Sequence, residues 1–61
     1  SSSMHIQEQI DALKANGIPY DEEVVNHYLS VMNDQAIHMK ERMKSMNHLT
    51  NYINLISFYQ S

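Results

Sequence analysis

Past Asp21 the chain runs on without a glycine or a proline, and through that stretch Val25, Leu29, Met32, Ala36, Met39, Met43 and Met46 follow one another at spacings of 4, 3, 4, 3, 4 and 3. An apolar residue at every third or fourth position is the heptad pattern of a coiled-coil helix that presents one apolar seam to a neighbour. One long helix from about residue 22 is the simplest structure that satisfies it.

Upstream, Ile6, Ile10 and Leu13 fall at i, i+4 and i+7, while Glu8, Asp11 and Lys14 lie elsewhere on the surface. That spacing predicts a short amphipathic helix over about 4–16. Asn16-Gly17 ends it, because glycine takes the left-handed conformation that satisfies the last carbonyls, and Ile18 supplies the apolar closure of such a cap. Ser1, Ser2 and Ser3 read as a cloning remnant before Met4, which leaves 4–61 as a single small helical interaction module.

The second helix announces its start three times. Asp21 is placed to accept from the free N–H groups of the first turn, and Glu22 and Glu23 sit where the helix dipole favours negative charge. Tyr20 and Val25 have the spacing of a hydrophobic staple.

Two places invite a break. Asn33-Asp34 combines a residue that tolerates a helix end with one that caps a helix start, yet the seam crosses it in phase, and an uninterrupted helix is the simpler expectation. Beyond Met46 the apolar residues Leu49, Tyr52, Ile53, Ile56 and Tyr59 move to a neighbouring face, which a skipped heptad residue or a new helix near Asn47 would each explain.

Lengths then decide the assembly. A helix over 22–46 runs about 38 Å, whereas the first helix spans about 20 Å. Folding back as a helical hairpin, it could cover the second face formed by Val24, Tyr28 and Val31. The methionine seam and the stripe of Leu49, Ile53 and Ile56 would stay uncovered. The expected fold is therefore all-α, a helical hairpin assembling as a homodimeric helical bundle. Its interface residues would be Val25, Leu29, Met32, Ala36, Met39, Met43, Met46, Leu49, Ile53 and Ile56. Acidic Asp21–Glu23 and basic Lys40–Lys44 stand about five turns apart, which mildly favours antiparallel pairing; each such pair is worth well under about 1 kcal/mol.

Composition narrows the function. The 61 residues carry a net charge of −3, 18% charged residues and no cysteine. Disulfide staples and thiolate zinc sites are excluded, and a general phosphate binder would need a basic surface. With no run of about 18 apolar residues and no signal peptide, the expected setting is cytoplasmic.

Candidate chemistry is thin. Glu23 and His27, and Asp34 and His38, are each four apart and could share a metal ion, but two ligands make a weak site and a solvated helix face is the better reading. Met39, Met43 and Met46 could attract Cu(I); they continue a seam already set by Val25 and Leu29, and methionine is a flexible filler of helix interfaces. No phosphate loop, nucleophile elbow or metalloprotease motif is present. The expectation is a non-enzymatic protein-protein interaction module without cofactor or metal, a small regulator, inhibitor, adaptor or oligomerisation element. Its partners would be itself and another protein. The alternative is a dimeric nucleic-acid-associated transcription regulator using Lys40, Arg42 and Lys44, which is not favoured by the acidic balance.

Overall fold

Local capping chemistry divides the chain into α1 (Ser2–Ala15), α2 (Glu22–Asn33) and α3 (Met39–Gln60). The structure, a computed structural model, describes residues 2–60, with side chains from residue 5 onward. Among the described residues there is no strand. Ser1 lies outside them, and the first helix begins at Ser2 rather than near residue 4.

α1 stops where glycine permits. Gly17 sits at φ 66, the Ile18 N–H donates to Leu13 O (2.9 Å) and the Gly17 N–H to Lys14 O (3.1 Å). These are the two bonds of a Schellman cap, and half-buried Ile18 packs on the core beside Leu13 as that cap requires. α2 starts as its sequence dictates: the Asp21 carboxylate accepts from the Glu23 N–H (3.0 Å) and the Val24 N–H (3.3 Å). Tyr20 and Val25 both join the core cluster.

The single long helix is corrected by the structure: it breaks between Asn33 and Met39. Asp34 ends α2 in an extended conformation, and its Oδ1 takes the Ala36 N–H (2.9 Å), the bond of an Asx turn. His38 then starts α3, its Nδ1 accepting from the Lys40 N–H at 3.1 Å while its carbonyl accepts from Glu41 and Arg42. The seam stayed in phase across this turn, so periodicity concealed the break. The break near Asn47 is also corrected, because α3 is continuous there. Its inward face is Ser45, Leu49, Ile53 and Ile56, while Met39 and Met43 in its first turns are exposed.

α2 and α3 run antiparallel, Asp21 meeting Tyr52, Tyr28 meeting Ser45 and His48, and Met32 meeting Arg42. α1 approaches α3 and meets α2 through the shared core. Ile10 and Lys14 share a groove with Val25, Asn26 and Leu29 of α2, and Gln9 and Leu13 share one with Ile53 and Ser57 of α3. The expected cover of Val24, Tyr28 and Val31 by α1 is thus corrected, since Tyr28 stacks on His48 of α3. The core is Ile6, Ile10 and Leu13 from α1, Val25 and Met32 from α2, and Leu49 and Ile53 from α3. An all-α, three-helix unit results, and the hairpin of two helices is replaced by a chain that turns twice.

Candidate interaction surface

The ten residues expected to form an interface divide once the long helix is folded. Val25, Met32, Leu49 and Ile53 are buried within the chain, and Leu49 has 0% of its surface exposed, so a partner has nothing there to touch. Leu29, Met46 and Ile56 are half-buried against the core. Ala36 lies exposed in the turn between α2 and α3. Met39 and Met43 alone of the ten keep large apolar surface in water, at 56% and 53% exposure.

Geometry explains why these two are left. At about 100° per residue, Met39, Met43, Met46 and Ile53 fall within an arc of about 80° on α3. Ile53 lies in the groove with α1, and Met46 packs on the core. α1 is about 21 Å long and α3 about 33 Å, so one helix face continues past its cover. The mismatch of lengths survives the break in reduced form, at the first turns of α3. There Met39, Met43 and Met46 join Met32 and Arg42 around a shallow recess of about 130 Å³.

Arg42 closes one side of this recess by turning inward. Its Nε donates to Met32 O at 2.9 Å, satisfying one of the carbonyls that the end of α2 leaves without an intrahelical partner. Of the basic cluster, Lys40 and Lys44 remain exposed, and the Lys44–Glu41 contact of 4.0 Å between two exposed side chains contributes little.

The opposite end of α3 carries exposed Leu55, Phe58 and Tyr59. Phe58 is 73% exposed and meets Tyr59 edge-on at 5.4 Å. The acidic start of α2 lies alongside this half, because the Asp21 N–H donates to the Tyr52 hydroxyl at 2.9 Å. The two ends of the molecule are therefore both apolar and of opposite charge. Sequence reading placed Tyr59 on a shifted stripe and did not single out Leu55 or Phe58. No periodicity marks them, since they face away from the core.

The acid–histidine pairs do not converge. Asp34 and His38 fall in the turn, where the Asp34 carboxylate and His38 Nδ1 are both occupied by backbone N–H groups. Glu23 and His27 are exposed on α2. Among the described residues no group of three or more His, Cys, Asp or Glu side chains could hold a metal ion. Nor is any helix among them long and apolar enough to cross a membrane. Comparison with protein-family models, with curated proteins and with solved structures finds no match for this chain.

Proposed function

We propose that this chain is a non-enzymatic protein-protein interaction module, an oligomerisation element that meets a second helical surface through the first turns of α3. The observation that carries this reading is the pair Met39 and Met43, more than half exposed beside a recess floored by Met32 and Met46. Full burial of a methionine side chain contributes about 1.5–3 kcal/mol, and with Met39 56% and Met43 53% exposed, covering what remains of both adds about 1.5–3 kcal/mol in total. Unbranched thioether side chains also repack at little cost, which suits a surface that accepts an apolar helix. The partner in this reading is a second copy of the chain, forming a homodimeric bundle.

Methionine-methyl NMR over a dilution series tests the proposal. The Met39 and Met43 methyl resonances are expected to move with protein concentration, while that of core residue Met32 moves less. Resonances of all five methionines that stay fixed from micromolar to millimolar chain would overturn it.

A further inference from the structure

We infer that Asn16 is a modification site, the residue at which this chain deamidates, and that the cap of α1 holds the reaction in check by engaging both reacting nitrogens.

The chemistry follows from the exposed Asn16-Gly17 pair. An asparagine amide is attacked by the backbone nitrogen of the residue after it. Here the Gly17 nitrogen gives its proton to hydroxide and bonds to Asn16 Cγ, and the bond from Cγ to Nδ2 breaks as ammonia leaves with a proton from water. The five-membered imide that results takes up one water. Opening its bond between nitrogen and Cγ yields aspartate; opening the other carbonyl bond to nitrogen yields isoaspartate, in which the main chain runs through the former side chain. Glycine obstructs this attack least, since it has no Cβ and the widest backbone freedom. The other five asparagines precede His, Asp, Tyr or Leu and lie in α2 or α3, where backbone bonds occupy the nitrogen that follows.

The cap opposes the reaction at two atoms. The Gly17 N–H donates to Lys14 O at 3.1 Å, so the proton that must leave is held. Asn16 Nδ2 donates to Ala12 O at 2.8 Å, which turns the amide back along α1 and restrains the leaving group. The bond that closes the helix end is therefore also one that guards the amide. Attack requires both bonds to break together, a local opening of the kind that helix ends undergo without global unfolding.

Neither product can rebuild the cap. A carboxylate at position 16 has no hydrogen to donate to Ala12 O, and it adds negative charge at the end of α1 where the helix dipole is already negative. Isoaspartate lengthens the main chain by one carbon just before the Gly17 nitrogen, so the bonds from Gly17 to Lys14 and from Ile18 to Leu13 lose their register. Ile6, Ile10 and Leu13 of α1 belong to the core, and the lesion loosens the helix that carries them. The change runs one way, from a closed helix end to an open one.

Incubating the intact chain at one pH and temperature, in buffer and in concentrated urea, tests the site and its guard together. Circular dichroism establishes the folded and unfolded states, and peptide mapping by mass spectrometry locates aspartate and isoaspartate. Deamidation in urea is expected first at Asn16, and in buffer about tenfold more slowly, as for a helix end that is open about one time in ten. Gly17→Ala in urea, where the cap no longer exists, should slow the reaction at Asn16 several-fold. Asn16→Asp should melt about 4–8 °C below the parent. Reaction led by another asparagine in urea, or undiminished by Gly17→Ala, would overturn the site. Equal rates at Asn16 in buffer and in urea would overturn the guard, and Asn16→Asp melting at or above the parent would overturn the consequence for α1.

Discussion

The Arg42 guanidinium donates through Nε to the backbone carbonyl of Met32, 2.9 Å away and ten residues back in the chain. This bond spans the turn that interrupts the apolar seam, tying the last turn of α2 to the first turns of α3. The donor is charged and half-buried, which makes the bond stronger than a neutral one.

Removing it should loosen the turn. Arg42→Ala is expected to cost about 1.5 kcal/mol, since hydrogen bonds to charged groups contribute about 1.5–3 kcal/mol and this one is only partly shielded from water. Urea denaturation followed by circular dichroism measures the loss. A midpoint unchanged by the substitution would mean that the bond does not hold α2 to α3.

Tyr52→Phe removes the hydroxyl that receives the Asp21 N–H, thirty-one residues away, and keeps the ring. The exposed N–H can turn to water, so the expected cost is about 0.5–1 kcal/mol. For a domain of this size that lowers the melting temperature by about 2–8 °C. Differential scanning calorimetry at neutral pH reads the difference.

His38 caps α3, and its replacement separates two effects. His38→Ala leaves the Lys40 N–H without its acceptor and should cost about 1 kcal/mol. His38→Asp restores an acceptor and adds a negative charge at the positive end of the helix dipole, so it should match or exceed the parent stability. Thermal melts that rank alanine equal to aspartate would contradict the cap.

Gly17 isolates a backbone effect. A side chain built there meets nothing within 4 Å, so any loss comes from the left-handed conformation at φ 66. Gly17→Val should cost about 1–2 kcal/mol, and Gly17→Asn less, because asparagine tolerates this region. Equal melting temperatures for the two variants would contradict that explanation.

The parts of this fold that were legible in the sequence are those decided locally. The Gly17 cap, the Asp21 cap and the Tyr20–Val25 staple each rest on a few adjacent residues whose chemistry has one common use. The break at 34–38 was not legible, because Met32, Ala36 and Met39 keep helical spacing across a turn in which no helix exists. Asp34 and His38 carry the signal instead, and imidazole is an uncommon cap. The consequence for the interface was large: Val25, Leu49 and Ile53, which looked unpartnered on a straight helix, are buried once α3 returns along α2. Met39 and Met43 remain exposed because α1 is shorter than α3. Arg42 and Tyr52 hold the elements together through long-range bonds that no local pattern announces.

Sedimentation equilibrium of the unmodified chain tests the central claim most directly. Self-association through the exposed face of α3 predicts a mass that rises from the 7.1 kDa of one chain toward twice that value as concentration increases, and a weaker rise for Met43→Glu. A folded chain that holds the single-chain mass up to millimolar concentration would contradict it.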